Sequence, residues 1–304
     1  MILFVEQMLN GLQLGITLFL MSAGLTLIFG IMQVINLAHG SFYMIGAYVG
    51  ATVAVASGSF LTGLIAGVTA AGIVGMIVEI VVLRHLYHRD HLDQVLATFG
   101  LIFFFNEITR IIWGKQPLFM DMPLWLQGNI ELLPGLIYPV YRIFVIIVGC
   151  LVALLLWFLF SRTRLGMRIR AGASNREMVG ALGINIKLLY TLVFGLGTLL
   201  AGLAGVMAGP ILAVESGMGE SILILTFVVI VIGGIGSVRG AVVGALLVGL
   251  VDTLGRAFLP QVFRLFLSSS VADGVGASLA SMSIYILMAA VLIWKPKGLF
   301  PAHE

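Results

Sequence analysis

Charged residues and cysteine are scarce in this chain of 304 residues. Charged side chains make up 10% of it, while hydrophobic residues make up 61%; soluble domains carry about 25% charged residues. The mean hydropathy of +1.16 leaves more apolar surface than one soluble core buries. A bilayer accepts such surface in helices of roughly 20 apolar residues. The scarcity of charge therefore argues against a soluble protein and predicts an all-α, polytopic transmembrane bundle of about 8–10 spans.

Several classes of chemistry lack the residues they need. The single cysteine, Cys150, excludes an internal disulfide and a cysteine-based metal site, and His39 has no second His or Cys nearby in the sequence with which to share a metal ion. No G-x-x-x-x-G-K-[ST] sequence is present to cradle ATP phosphates, and no nucleophile–base set suggests catalysis. The basic residues lie in short loops instead of on one soluble face, which argues against nucleic-acid binding. We expect no enzyme activity, metal or cofactor in this chain.

The apolar residues fall into nine runs long enough to cross a membrane. The chain between them holds no separate soluble domain, so residues 1–304 are predicted to form one transmembrane domain. Glu6 and the lack of a basic leading segment predict that the first run is kept as a helix and is not cleaved as a signal peptide. The runs are 6–30, 41–57, 60–83, 94–113, 137–160, 188–209, 219–235, 239–258 and 275–294.

The distribution of basic residues predicts the orientation. If crossings alternate, eleven of the sixteen Lys and Arg residues fall on one side, which is then the cytoplasmic side. The N-terminus is predicted outside and the C-terminus in the cytoplasm. The eleven are Arg84, Arg89, six in 161–187, Arg239, Lys295 and Lys297; Asp121, Glu131, Glu215 and Glu220 lie in the opposite loops.

Glycines recur four residues apart in several of these runs. Small residues at that spacing let helix backbones approach closely in lipid, where hydrophobicity does not drive helices together. Tight helix packing is therefore expected at five sets of positions. They are Gly11/Gly15, Gly46/Gly50, Gly63/Gly67, Gly205/Gly209 and Gly236/Gly240/Gly244.

The stretch "SRTRLGMRIRAGASNREMVGALGINIK" (161–187) is the longest polar segment. Ser174 and Glu177 form a capping box that predicts the start of a helix, and Gly183 is suited to end it. Met178 and Leu182, four residues apart, share a face of this helix. Such a short helix is not stable alone in water. It either docks in the groove of a partner or lies on the lipid surface or its own bundle.

A second polar stretch, "VINLAHGSFYMIG", separates the first two apolar runs. Asn36, His39, Gly40 and Ser41 there fit two interpretations. In one, a broken helix at membrane depth lines the translocation path, which requires that the unwound backbone is buried in protein or faces a cavity. In the other, the residues form a cytoplasmic turn that caps two helices.

Ionisable residues inside the apolar runs can be paired locally. Glu107 and Arg110 are three residues apart and Asp252 and Arg256 four, spacings that place each pair on one helix face. Glu79, near the end of its run, can reach Arg84 or water. Structural pairing is the expected role of these groups.

The sequences of both polar stretches, together with motifs elsewhere in the chain, resemble those of the branched-chain amino-acid permease family of ABC importers. "GLTLIFG", "VINLAHG", "MIGAY", "RAGASNREMVGALGIN", "GGIGSVRGAVVGALLVGL" and "KPKGLFP" carry the resemblance across nearly the whole chain. Glu177-Met178-Val179 and Gly183 are similar to the E-A-A-x-x-x-G coupling loop of ABC permeases, with both alanines replaced. The resemblance implies that the loop around 161–187 is cytoplasmic and docks on an ATPase subunit. The coupling residues would be Ser174, Arg176, Glu177, Met178, Leu182 and Gly183.

The same resemblance implies a set of partners in a bacterial inner membrane. These are a second permease subunit, which would be a homologue, two ATP-binding subunits and a periplasmic or extracellular substrate-binding protein. Branched-chain amino acids are the implied substrate. Urea, short amides and aromatic acids are the alternatives within the family, and an ion-coupled secondary transporter is the alternative from another class, which would need acidic residues near the membrane midplane.

Overall fold

The computed structural model describes residues 2–87 and 89–301, and within them every side chain except that of Arg176. Helices occupy most of these residues, and one β-hairpin interrupts them. The helices are α1 Ile2–Met32, α2 His39–Ser57, α3 Phe60–Val81, α4 His91–Trp113, α5 Val140–Arg162, α6 Arg164–Ser174, α7 Arg176–Ala181, α8 Ile186–Ala208, α9 Met218–Gly233, α10 Val238–Phe263 and α11 Ser269–Trp294; the strands are β1 Asn129–Leu133 and β2 Leu136–Pro139.

Each of the nine predicted apolar runs is helical over most of its length, although residues 137–139 of the fifth run belong to β2. Within the described residues, eight helices are long and apolar enough to cross a membrane. The remaining run, 219–235, forms α9, which has 16 residues and is therefore about 24 Å long, shorter than the hydrocarbon core of about 30 Å. The prediction of an all-α polytopic bundle is confirmed, and α9 is shorter than the eight other apolar helices. The chain is a multi-pass membrane protein.

The described chain divides into two compact units. The first unit contains the residues up to Phe19, Leu124–Cys150 and the residues from Leu225 onward; the second contains Leu20–Pro123 and Leu151–Ile224. Whether the whole chain acts as one domain stays a prediction.

Glycines hold the core of the second unit together. A Cβ built on Gly46 of α2 would lie 2.5 Å from the Cα of Gly202 in α8, and one built on Gly63 of α3 would lie 2.7 Å from the Cβ of Ala54 in α2. α2 is buried on all sides along His39–Tyr48. The close contacts that the glycine spacing predicts are therefore present, and they let the backbones of α2, α3 and α8 approach one another.

Similar contacts occur within the first unit. A Cβ on Gly11 of α1 would lie 3.0 Å from the Cα of Leu250 in α10, and one on Gly15 would lie 2.9 Å from the carbonyl oxygen of Ala245. The residues after α11 turn back along α9, where the amides of Leu299 and Phe300 each donate to a carbonyl oxygen at 2.9 Å, those of Ile232 and Gly233.

The β-hairpin was not predicted. Its strands pair antiparallel between Asn129 and Pro139, and Leu133 pairs with Leu136 across a two-residue turn. Gly135 has φ +84°, a conformation that glycine adopts without strain. The Pro134-Gly135 dipeptide is a turn signal that was available in the sequence.

Candidate functional site

Two short helices, α6 and α7, fill the polar segment between α5 and α8. α6 begins after Thr163, whose side-chain oxygen accepts a hydrogen bond from the amide of Gly166 at 3.1 Å. This contact satisfies one of the free amides at the helix start. The segment thus contains two capped helices where the sequence predicted one.

The start of α7 differs from the prediction by one residue. Asn175 caps the helix: its Oδ1 accepts from the amide of Met178 at 2.9 Å. Ser174 is the last residue of α6; the residue in extended conformation, as helix caps usually are, is Asn175. The capping box of Ser174 and Glu177 was therefore wrong, although Asn ranks with Ser as a helix cap.

The end of α7 is as predicted. Gly183 has φ +84°, and its amide donates to the carbonyl of Gly180 at 3.0 Å, while that of Ile184 donates to the carbonyl of Val179 at 3.3 Å. This pair of bonds is the Schellman motif, which uses a left-handed residue to end a helix. The six-residue helix is therefore fixed at both ends.

The apolar stripe of α7 faces outward. Met178 is 58% exposed and Leu182 is 74% exposed, whereas Val179 is 5% exposed. The interpretation in which the stripe packs on its own bundle is therefore wrong for these two side chains. Glu177 is also exposed, and the side chain of Arg176 lies outside the described part of the chain. A partner protein or the lipid surface remains to cover the stripe.

The break between α1 and α2, residues 33–38, is buried or half-buried except at Gln33, which is exposed. Asn36 is 1% exposed and His39 0%, and Ser41 is also buried. The hydroxyl oxygen of Thr98, seven residues into α4, lies 3.5 Å from the carbonyl oxygen of Ile35, so the break lies about 10 Å from the start of α4. This position favours the broken-helix interpretation over a turn at the membrane surface.

The polar groups of this break are incompletely paired. Asn36 Oδ1 accepts from the amide of Ala38 at 3.1 Å, which bends the side chain onto the start of α2. The Nδ2 of Asn36 has no hydrogen-bond partner among the described residues. A buried donor without a partner costs free energy, which makes Asn36 a candidate to contact a solute or water in another conformation.

The start of α2 touches the start of α9. A Cβ on Gly40 would clash with the carbonyl oxygen of Gly219, and one on Gly219 would clash with that of Gly40. One residue further along α9, Glu220 accepts a hydrogen bond from the side-chain amide of Asn106 in α4. The sequence analysis singled out Gly40 but not Gly219 or Asn106. No local pattern reveals the contact of Gly40 with Gly219 or that of Asn106 with Glu220, because the residues of each pair are far apart in the chain.

The predicted ion pairs are present. Arg110 Nη1 lies 2.8 Å from Glu107 Oε1, and Arg256 Nε lies 2.9 Å from Asp252 Oδ2. Glu79 is paired with Arg84, whose Nη2 lies 3.0 Å from Glu79 Oε2.

Glu79 has two further partners that the sequence did not reveal. The hydroxyl of Tyr87 donates to Oε1 at 2.5 Å, and that of Thr191 donates to Oε2 at 2.6 Å. Burial, together with the hydrogen bond to Glu79, raises the pKa of Tyr87, so this phenol stays protonated as a donor. The cluster joins α3 to α8.

A polar cleft of about 430 Å³ opens in the first unit. Arg142 donates to Asn10 within it. Its lining combines amide, hydroxyl and guanidinium groups from α1, α5 and α10, namely Gln7, Asn10, Gln13, Arg142, Thr253 and Arg256. Within residues 2–87 and 89–301, no group of three His, Cys, Asp or Glu side chains is placed to hold a metal ion.

Comparison with known proteins identifies the family to which the chain belongs. The profile of a family described as "Branched-chain amino acid transport system / permease component" matches residues 7–293. The chain belongs to this family. It is a transport permease subunit, and the resemblance of the sequence motifs is confirmed.

Individual relatives agree over most of the chain. The high-affinity branched-chain amino acid transport system permease protein BraD of Pseudomonas aeruginosa is 29% identical, over 99% of this chain and 97% of its own length. LivH of Escherichia coli strain K12, a permease protein of the same kind of system, is 31% identical over 86% of this chain and 89% of its own length. The D-allose transport system permease protein AlsC of Escherichia coli is 29% identical over 64% of this permease and 58% of its own length. No solved structure matches the chain.

Proposed function

We propose that this permease is the membrane-spanning subunit of an ATP-driven importer for branched-chain amino acids in a bacterial inner membrane. An extracytoplasmic binding protein would deliver the substrate to it. The proposal is supported by the two relatives named for branched-chain amino-acid transport, which match most of the chain. The relative named for D-allose transport is the reason to test the substrate directly.

The observation that carries the coupling proposal is the outward-facing apolar stripe of α7. A short helix fixed at both ends holds Met178 and Leu182 toward the solvent or a partner, and exposed apolar side chains of this kind are suited to a partner's groove. We assign the stripe to the ATP-binding subunit. Asn175 and Gly183 would fix the shape of α7, while Ser174, Arg176 and Glu177 would contribute polar contacts around the stripe.

The rest of the assembly follows from this assignment. Two ATP-binding subunits would each dock on one permease, and the second permease would be a homologue of this chain. The loop that contains α6 and α7 would be cytoplasmic because it carries six of the sixteen basic residues. With α9 counted as the ninth crossing, this orientation would put the N-terminus outside and the C-terminus in the cytoplasm.

The translocation path would involve the buried break before α2. Asn36, His39, Gly40 and Ser41 are enclosed in the conformation described, and the contact of Gly40 with Gly219 closes the space between α2 and α9. Alternating access requires that two packed elements separate or slide. We assign this separation to the first turns of α2 and α9, which would expose the unpaired amide of Asn36 to the substrate.

The coupling assignment can be tested by adding a charge to the stripe. In the whole assembly, Leu182→Glu should abolish co-purification of the ATP-binding subunit, because docking would bury the new carboxylate without a partner. Leu212→Glu is the matched control: Leu212 is 55% exposed and follows α8 at the end opposite to α7. Wild-type association of the Leu182→Glu variant would remove α7 from the docking surface.

The alternative substrates and the ion-coupled alternative predict different uptake results. A urea, amide or aromatic-acid permease would transport that solute and leave leucine outside. An ion-coupled transporter would work without any ATP-binding subunit. Uptake of labelled leucine that needs the complete assembly is expected only from the function proposed.

A further inference from the structure

The cluster around Glu79 contacts the beginning of α8, the helix that follows α7 in the chain. Glu79 is in the last turn of α3 and is 0% exposed. Arg84 reaches both of its carboxylate oxygens, Oε1 through Nε at 3.3 Å and Oε2 through Nη2 at 3.0 Å. A carboxylate removed from water in this way is stable only while its charge and hydrogen bonds are satisfied.

Thr191 makes the cluster a connection between distant segments. It lies in α8, 112 residues after Glu79, and its hydroxyl donates to Glu79 Oε2 at 2.6 Å. It also accepts from Arg84 Nη2 at 2.8 Å. The ring of the neighbouring Tyr190 meets that of Tyr87 edge to face, with centroids 5.3 Å apart. The first turns of α8 are thus joined to both the end of α3 and the residues that follow it.

Close packing continues this connection along α3 and α8. A Cβ on Gly72 would lie 2.6 Å from Leu199, and one on Gly195 would lie 2.8 Å from Met76. Well-packed interiors do not deform continuously. α3 and the first half of α8 are therefore expected to move as one body while the Glu79 cluster is intact.

α7 reaches this body through a short path. Four residues, 182–185, separate α7 from α8, and Asn185 caps α8 by accepting from the amide of Leu188 at 3.0 Å. A Cβ on Gly180 of α7 would lie 3.7 Å from Ile186, and one on Gly172 of α6 would lie 3.2 Å from Leu189. Thr191 follows within two turns of these contacts.

We propose that Glu79 and Thr191 transmit the displacement of α7 to α3 and are positioning residues for energy coupling. When the ATP-binding subunits move α7, the first turns of α8 move with it. The hydrogen bond from Thr191 to Glu79 then carries α3 along, because its rupture would leave a buried carboxylate with one partner fewer. This inference rests on the proposed docking of α7.

The test compares threonines of one helix in the complete, reconstituted assembly. Thr191→Val removes the hydroxyl at nearly constant volume and leaves the pair of Glu79 and Arg84 intact. Thr198→Val is the matched control, since the hydroxyl of Thr198 donates within α8, to the carbonyl of Gly195 at 3.1 Å. Thr191→Ser restores the hydroxyl. The readout is the number of labelled leucine molecules transported per ATP hydrolysed, with ATP hydrolysis stimulated by the loaded binding protein.

Thr191→Val should assemble with the ATP-binding subunits and hydrolyse ATP, but its leucine-to-ATP ratio should fall by about fivefold, the scale of one lost hydrogen bond. Thr198→Val and Thr191→Ser should keep the wild-type ratio. If Thr191→Val only lowers the yield or thermal stability of the assembly and the intact complexes keep the wild-type ratio, the cluster is structural and the inference is overturned.

The Leu182→Glu variant separates two outcomes: a wrong role for the Glu79 cluster and a wrong docking site for the ATP-binding subunit. Loss of ATPase docking in Leu182→Glu, combined with a wild-type ratio in Thr191→Val, contradicts only the role of the Glu79 cluster. Unchanged docking in Leu182→Glu contradicts the proposed docking of the ATP-binding subunit on α7, and the Glu79 cluster then loses its connection to energy coupling.

Discussion

Replacing Gly46 with alanine should force α2 away from α8. The new Cβ would lie 2.5 Å from the Cα and 2.7 Å from the carbonyl oxygen of Gly202. Carbon atoms in contact are about 3.5–4.0 Å apart, so the helices must separate by roughly 1 Å. Both contacts are with backbone atoms, which no change of side-chain rotamer can relieve.

The expected loss of stability follows from two opposing effects. Overpacking of a close contact costs about 1–3 kcal/mol, whereas Gly→Ala in a helix gains up to about 1 kcal/mol. Gly46→Ala should therefore lower the free energy of unfolding by about 1 kcal/mol or more. Thermal unfolding in detergent, followed by loss of helical circular dichroism, measures the change.

Gly100→Ala provides the control for this measurement. Gly100 lies inside α4 and a Cβ there would meet nothing within 4 Å, so only the gain in helix propensity applies. The variant should unfold at the wild-type temperature or slightly above it. Equal stability of Gly46→Ala and Gly100→Ala would refute the account of glycine-mediated packing.

Two further pairs of variants test individual contacts. Asn175→Ala should weaken α7 by about 1 kcal/mol through loss of its cap, and hydrogen exchange of the α7 amides should accelerate. Ser174→Ala should leave this exchange unchanged. The reverse result would restore the capping box predicted from the sequence. Arg256→Ala should destabilise the permease more than Asp252→Ala, because it leaves without its partner an aspartate side chain that is only 10% exposed, whereas the arginine left by Asp252→Ala still lines the polar cleft. Thermal unfolding that ranks the two variants the other way would contradict this asymmetry.

The membrane-spanning helices were predictable from the sequence because the bilayer imposes one requirement on all of them. Each needs a long run of apolar residues, and that pattern is local. The glycine contacts of α2 and the ion pair of Asp252 with Arg256 followed from spacing within single helices. Local chemistry also predicted the end of α7, where Gly183 adopts a left-handed conformation.

The features that sequence reasoning missed depend on contacts between distant segments or on choices between equivalent residues. Thr191 and Glu79 are 112 residues apart, and nothing near either one reveals the other. The contact of Gly40 with Gly219 is similar. At α7, Ser174 and Asn175 are equally good caps, and only the extent of α6 decides between them. The hairpin around Gly135 lay in a stretch without a strong alternating pattern.

The central claim is that this chain carries branched-chain amino acids at the expense of ATP hydrolysed by docked partner subunits. The most direct measurement is uptake of labelled leucine into proteoliposomes that hold the complete assembly, with ion gradients dissipated and ATP supplied to the ATP-binding subunits. We predict uptake that requires ATP and is lost with Leu182→Glu. Leucine uptake that persists without ATP, or ATP-dependent uptake of another solute with none of leucine, would contradict the account.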